Sequence, residues 1–509
     1  MLLAPLLNDI QNLKIIIMNR IPVIGSGFGG IALAIRLQAA NIPTLLLDKR
    51  DKPGGRAYVY QDKGFTFDAG PTVITDPSAI EELFLLAGKK MSDYIELLPI
   101  SPFYRLQWQS GEIFDYGGDQ DKLEKQIARF NPGDVQGYRE FIRYSKAVFK
   151  TGYLKYGTSP FLSFRSMVCA MPSLVRLSAW KSVYGIVSKH IKNEHLRQAF
   201  SFHSLLIGGN PFTTSSIYTL IHTLEREGGV WFPRGGTGAL VNALIKLFID
   251  IGGGCKLNTQ VDSFITNENR ITAIKLNDQR EIYCKAAASN ADVIHTYEKL
   301  LGKHRVGKRR SDLFKEKKMS NSLFVIYFGL NKLHSQLAHH TICFGNRYKE
   351  LLDDIFKGNS IPGDFSLYLH SPSVTDPTLA PPGCASYYVL APVPHLGHAQ
   401  INWLEEAPRL RDRIFSYLEK YYIPGFRDQL VTHKIFTPFD FQDELNAYHG
   451  SAFSIAPLLL QSAWFRPHNR DSDIENLYIV GAGTHPGAGI PGVLASAKIT
   501  ANLMIEDLS

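Results

Sequence analysis

Acidic side chains are absent from residues 141 to 193 of this 509-residue chain, a stretch that holds nine basic ones: Arg143, Lys146, Lys150, Lys155, Arg165, Arg176, Lys181, Lys189 and Lys192. Cysteine is scarce. The five (Cys169, Cys255, Cys284, Cys343, Cys384) are scattered, odd in number and form no Cys-x-x-Cys pair, which argues against a disulfide framework or a zinc site and for a reducing, cytosolic setting. No run reaches the roughly 18 apolar residues of a membrane span. The apolar start at Leu2-Leu3 has no positive region before it and is interrupted by Asp9, Asn12 and Lys14, so it does not read as a signal peptide. Residues 1–17 are read as a disordered or non-native extension, with translation starting at Met18.

What is present is a globular composition, 45% hydrophobic, with material for about two to four domains. The net charge of +8 calls for an anionic neighbour: nucleic acid, acidic protein or phospholipid. No recognised nucleic-acid-binding fold accompanies it, which sets nucleic acid aside.

The chain is organised around residues 21 to 56. Ile21-Pro22-Val23-Ile24 leads into Gly25-Ser26-Gly27-Phe28-Gly29-Gly30, after which Ala32, Leu33, Ile35 and Leu37 recur at helical spacing. That is strand, tight turn, helix. A second apolar run ends on Asp48, where a dinucleotide fold needs an acid for the ribose hydroxyls. Gly25 permits the turn, Gly27 lets the backbone approach a pyrophosphate, and Gly30 lets helix pack on strand, while the helix N-terminus offers free N–H groups to the anion. Pro22 supplies no ladder donor, so the strand is expected to begin there. A second glycine turn, Gly54-Gly55, follows with Arg56, whose fixed charge suits a phosphate or a flavin edge.

Further along, Ser78 with Glu81 reads as a capping box, strands are expected between Glu96 and Tyr116, and Asp119 to Phe130 is helical. In the acid-free stretch the cations interleave with Tyr153, Phe161, Phe164, Met167, Met171, Leu174, Leu177, Trp180 and Tyr184. That mixture suits a segment lying in a membrane interface, or equally a helical subdomain with a basic solvent face. Residues 200 to 231 read as the wall of an apolar cavity or as an ordinary buried helix. A helix over Ala239–Ile251 ends at Gly252-Gly253-Gly254; strands dominate 322 to 390, and Lys303 to Lys318 reads as a solvated basic loop. His339-His340 has no third ligand at metal spacing and reads as a pair of exposed strand-end histidines, so no metal is expected. Finally a buried strand from Leu477 feeds Gly481-Ala482-Gly483-Thr484-His485-Pro486-Gly487-Ala488-Gly489 and a helix N-terminus that can face a flavin edge where reduction places negative charge.

Asp48-Lys49-Arg50 through Gly54-Gly55-Arg56, then Asp68-Ala69-Gly70-Pro71-Thr72, with the Gly481–Gly489 loop, resemble the bacterial and fungal carotenoid desaturases, most closely the enterobacterial phytoene desaturases, over nearly the whole chain from Met18. The resemblance implies an α/β fold: a Rossmann-like FAD-binding domain of the glutathione-reductase and amine-oxidase type, an inserted α+β substrate domain and a helical membrane-contacting subdomain. The segments are 18–77, 232–300 and 455–509 for FAD, 78–135, 205–231 and 301–454 for substrate, and 136–204 for the membrane. Beyond the glycine turn with Phe28 and Gly29, it implies FAD contacts at Lys49, Gly55, Arg56, Gly70, Pro71, Thr72, Val261 (beside the adenine), Gly483, Gly492 and Val493. It further implies desaturation of 15-cis-phytoene, a hydrophobic C40 polyene, to lycopene with isomerisation to the all-trans product, and peripheral attachment to the cytoplasmic membrane. Only one G-x-G-x-x-G is present, so quinone or oxygen rather than NADPH is expected to exchange electrons with the flavin. Relatives often carry an acid after Phe164-Arg165; here it is Ser166, which leaves Arg165 and His203 as weak catalytic candidates. A desaturase or oxidase of another carotenoid, a flavin amine oxidase and a non-enzymatic lipid carrier on the same fold are the rival readings.

Overall fold

The computed structural model describes residues 20–509. The extension expected at 1–17 and the start at Met18 lie outside the described residues. At the centre is a five-stranded parallel sheet in the order Leu477–Ile479, Ala287–Ser289, Ile21–Ile24, Thr44–Leu47, Gly254–Lys256. Three regions far apart in sequence therefore build one sheet. Its strands read as short continuous apolar runs because both faces are covered, as parallel sheets require. Ile21 starts the first strand, one residue before the expected Pro22. Ile21 N donates to Pro43 O and Gly25 N to Leu47 O, both at 2.7 Å, so odd residues turn their N–H toward Thr44–Leu47. Pro22 thus faces the other neighbour, where pairing begins only at Val23, and its missing donor breaks no ladder bond.

The helix Phe28–Ala39 lies on this sheet with residues 28 to 37 all buried. It packs against the helices Thr237–Asp250 and Ile490–Leu508, so the N-terminal and C-terminal glycine loops enter the same layer.

A second, seven-stranded sheet runs Leu430–Phe436, Ser322–Leu330, Ala385–Val393, Leu367–His370, His340–Phe344, Tyr104–Trp108, Ile113–Tyr116, with His340–Phe344 and Tyr104–Trp108 parallel and the other pairs antiparallel. Its two-residue side-chain period sorts one strand cleanly. Phe324, Ile326 and Phe328 join the core cluster that includes Trp403, Ile414 and Phe415 of the helix Trp403–Tyr421, while Leu323, Val325 and Tyr327 line a cavity on the other face. On that side the helices Asp134–Val148, Val183–His190 and Glu194–Ser201 pack through Tyr138, Phe141, Val187 and Phe200 into the core cluster that holds Val325 and Tyr327, and Met167 of the helix Phe164–Arg176 and Leu224 of the helix Leu220–Gly228 line the cavity.

Several local expectations need correction. The helix after the nucleotide segment is capped by Asp76, whose carboxylate accepts from Ala79 N at 3.1 Å, not by Ser78; Pro77 takes the first helical position, where a missing N–H is harmless. Residues 305–315 are a helix, not a loop: Val306, Gly307, Ser311 and Phe314 supply a buried stripe too narrow to be seen among five cations. His339 and His340 are buried, not exposed. All five cysteines are free. Among the described residues no helix is long and apolar enough to cross a membrane.

Candidate active site

One large cavity, about 610 Å³, runs from the edge of the parallel sheet to the inner face of the seven-stranded sheet. Its first half is built from turns. Gly25, Gly27, Phe28, Gly29, Asp48, Lys49, Gly55, Arg56, Gly70, Pro71, Thr72, Val261, Gly492 and Val493 all line it. Gly30 and Gly483 lie behind the wall. A Cβ on Gly30 would sit 2.0 Å from Gly25 O, and one on Gly483 would sit 3.0 Å from Val293 Cβ, so both serve close backbone packing.

The helix Phe28–Ala39 has Gly27 at its N-cap and no side chain capping it, which leaves its first N–H groups available to an anion. A Cβ on Gly29 would lie 3.1 Å from Gly481 Cα. The two glycine-rich ends of the chain therefore touch. Asp48 holds the turn from the next strand: its Oδ2 accepts from Ser26 N at 2.7 Å and Ser26 Oγ at 2.6 Å, and its Oδ1 from Arg50 N at 2.9 Å.

Positive groups surround this half. Arg56 donates to Ala452 O at 2.7 Å, and burial pulls its pKa down even though Asp292 works in the opposite direction. Lys49 Nζ donates to Asp443 O and Asn446 Oδ1, both at 2.8 Å. Arg50 pairs with Glu444 at 2.6 Å and lies 3.6 Å over the Tyr58 ring. Asp68 accepts from Thr237 N at 2.9 Å and Gly238 N at 3.1 Å, tying the helix Thr237–Asp250 to the Ala69–Thr72 segment; burial raises its pKa to about 6. The C-terminal loop is held from behind by Arg466, which donates to Ala482 O at 2.8 Å and Thr484 O at 3.0 Å.

The second half is apolar and aromatic: Val73, Phe202, Leu224, Val325, Ile342 and Phe344 are among its walls. Between the halves sits a polar seam. Thr72 Oγ1 lies 2.8 Å from Tyr388 OH and 3.1 Å from Tyr368 OH, and Tyr368 OH lies 2.6 Å from His340 Nδ1. Strand pairing sets His370 opposite His340, and His370 Nε2 is 3.0 Å from His339 Nε2. The pair expected to lack a third histidine thus has one, and ligand atoms of the three lie within 4.8 Å of one another. Burial holds all three imidazoles below their ordinary pKa, His339 at about 3.

Neither catalytic candidate lines the cavity. Arg165 is exposed in the first turn of the helix Phe164–Arg176, whose inward residues are Met167, Ala170 and Leu174. His203 is buried behind the wall, its Nε2 3.1 Å from Glu225 Oε2. Two cavity residues carried no prior signal that singled them out: Asn290, whose amide sits between the glycine loops and donates to Gly25 O at 3.3 Å, and Glu225.

A flavin dinucleotide fits these residues. The uncapped helix end suits the pyrophosphate, the open space at Gly27 has only the Asn290 amide within 3.0 Å of a would-be Cβ, and the apolar half would adjoin a flavin ring lodged by Arg56 and the C-terminal loop. The family model described as flavin containing amine oxidoreductase matches residues 28–505. The chain is 68% identical over 491 residues, 96% of its length and 100% of the relative's, to the phytoene desaturase (lycopene-forming) of Pseudescherichia vulneris. It is likewise 68% identical over 486 residues, covering 96% and 99%, to the phytoene desaturase (lycopene-forming) of Pantoea ananas. An oxidoreductase of Methanosarcina mazei superposes with a TM-score of 0.65 at 14% identity, covering 96% of this chain and 100% of that one, a likeness of fold. The chain belongs to the flavin containing amine oxidoreductase family, within the group formed by the bacterial phytoene desaturases.

Proposed function

We propose that this chain is an FAD-dependent desaturase that introduces C=C bonds into 15-cis-phytoene to give all-trans lycopene. The observation that carries the reading is the continuity of one cavity, polar and glycine-lined at one end and apolar at the other. Segments 18–77, 232–300 and 455–509 supply the cofactor domain, and 78–135, 205–231 and 301–454 the substrate domain. When bound, FAD supplies the hydride acceptor for an allylic C–H bond. The chain does the rest by position. Apolar walls such as Val325, Ile342 and Phe344 align a substrate that has no polar handle and keep water from the reacting carbons. A cationic amine finds little to recognise it there.

The entry for such a hydrocarbon is read from the helix Phe164–Arg176. Met167, Ala170 and Leu174 face the cavity, while Phe164, Val168, Met171 and Val175 face outward and are 56%, 51%, 47% and 53% exposed. Leu154, Trp180 and Leu460 are exposed large apolar residues as well, with Lys155, Arg165, Arg176 and Lys181 exposed at residues flanking or within the same helix. An apolar face bordered by cations suits anionic phospholipid, so segment 136–204 is a peripheral contact with the cytoplasmic membrane, and polyene passes from bilayer to cavity. A membrane quinone or oxygen takes the electrons from the flavin.

The test is purified protein reconstituted with FAD and anionic liposomes carrying 15-cis-phytoene, assayed by product spectra with quinone anaerobically and in air. FAD-dependent lycopene formation is expected. Amine turnover without conversion of phytoene, or a protein that never takes up flavin, would overturn the reading in favour of an amine oxidase or a lipid carrier.

A further inference from the structure

Beside the polar seam, His339, His340 and His370 are packed together, all three buried. Backbone holds them there. His340 and His370 face each other across paired strands, and Ser371 N donates to His339 O at 2.8 Å, which fixes the residue just outside the strand. Ligands carried on paired strands are placed more precisely than ligands on loops.

The ring nitrogens fall into two sets. His339 Nδ1 lies 2.7 Å from Thr375 Oγ1 and His340 Nδ1 lies 2.6 Å from Tyr368 OH, so each of these rings is held at one nitrogen by a hydroxyl. The other nitrogens are left to one another: His339 Nε2 meets His370 Nε2 at 3.0 Å, and His340 Nε2 is buried with no hydrogen-bond partner among the described residues. Metal-binding histidines have this arrangement, one nitrogen held by a neighbouring oxygen and the other free for the ion. The spacing agrees. Three imidazoles on one ion, each at about 2.1 Å, hold their ring centres about 5 Å apart, and here the centres are 4.4, 4.8 and 5.5 Å apart. One nitrogen of each ring already lies within 4.8 Å of the others, and rotation of the rings about their side-chain bonds closes the rest.

An ion can also reach the place. His339 and Thr375 line a second pocket of about 250 Å³, which shares no wall residue with the large cavity and includes the exposed Ser335 and Gln336. No thiol or carboxylate among the described residues belongs to the cluster. That disfavours calcium and magnesium, which take oxygen ligands, and suits an ion that accepts three imidazoles and a water.

We propose that His339, His340 and His370 form a binding site for a divalent transition-metal ion of the zinc type, each ligating through Nε2 and water taking the fourth position. The ion ties the ends of the strands His340–Phe344 and Leu367–His370 together. Thr375 and Tyr368 are positioning residues that orient the rings, and Tyr368 carries the effect to Thr72, 3.1 Å from its hydroxyl, in the wall between the two halves of the cavity.

The experiment uses tag-free full-length protein, its metal content measured as purified and after chelator treatment. Zn2+ is then titrated by calorimetry, and Co2+ is followed by its visible ligand-field bands to the red of flavin absorption. Wild type should bind one ion per chain, show the intense bands of four-coordinate Co2+ and gain thermal stability with added Zn2+. His370→Gln should bind about 100-fold or more weakly and lose those bands. Thr375→Val should bind about tenfold more weakly, an effect on affinity that mere packing would not cause. His449→Gln, in a separate group of histidines with His395, should bind as wild type does. Wild type that takes up no ion, or His370→Gln with wild-type affinity and bands, would overturn the assignment. So would binding lost in His449→Gln and kept in His370→Gln. If His370→Gln fails to fold, wild-type affinity in Thr375→Val overturns it. None of these readouts needs FAD or phytoene, so the desaturase reading is tested separately.

Discussion

Two glycines three residues apart should fail in different ways when given side chains. In Gly30→Ala the new methyl would stand 2.0 Å from Gly25 O, a main-chain atom, against ordinary contact from about 3.4 Å. Helix and turn must part by roughly 1.4 Å. No rotamer can relieve this, because both partners are backbone and residues 28 to 37 of the helix are all buried. Overpacking of this kind costs roughly 3 kcal/mol or more. Gly27→Val is different. Gly27 has φ −71° and ψ 169°, open to any residue, and the nearest atom to its Cβ is the Asn290 amide at 3.0 Å, the mobile end of a side chain. Under the proposed function, the valine would fill only the room that a bound pyrophosphate takes. Urea unfolding of the apoproteins and FAD titration by flavin fluorescence separate the cases. Gly30→Ala should unfold at markedly lower urea, whereas Gly27→Val should unfold near wild type yet lose FAD affinity by about tenfold or more, some 1.4 kcal/mol. Undiminished FAD affinity in Gly27→Val, or wild-type stability in Gly30→Ala, would refute the reasoning.

Other outcomes follow from single features. Because Glu225 titrates near 7 when folded instead of 4.5, the unfolded chain releases that proton first as pH rises; stability should fall by about 3 kcal/mol between pH 4.5 and 7 and then level off. Glu225→Gln removes that component, so the gap between variant and wild type in urea midpoints should widen in the variant's favour from pH 4 to pH 8. Val168→Glu with Val175→Glu, both outward on the helix Phe164–Arg176, should abolish sedimentation with anionic vesicles and leave FAD affinity unchanged. Asp68→Ala frees the N–H groups of Thr237 and Gly238 at a helix start and should cost about 1 to 2 kcal/mol, read as a lower urea midpoint.

Much of the glycine-lined end of the cavity was legible in the sequence because glycine geometry is local: a turn, a close approach and a helix start fall within six residues, Gly25 to Gly30. The same holds at Gly481 to Gly489. What could not be read was brought together by strand register. His370 reaches His340 only through the pairing of two strands 30 residues apart, and nothing in His339-His340 announces a third ring. Glu225 looks like one acid among others in Leu224-Glu225-Arg226-Glu227, and its isolation depends on Arg226 turning away to Gly117. The helix 305–315 was hidden by its own charges. Asp76 outranked Ser78 as cap because Pro77 fixes where the first turn begins.

The order of the parallel sheet bears on how this protein is made. Its founding strand, Ile21–Ile24, waits beside Ala287–Ser289, whose outer edge is closed only by Leu477–Ile479. A chain still emerging from the ribosome therefore carries a half-finished nucleotide fold with an open flank until residues 477–479 have been made, and long-range closure of this kind is slow. Flavin supplied late, rather than early, would be the one the finished fold can hold.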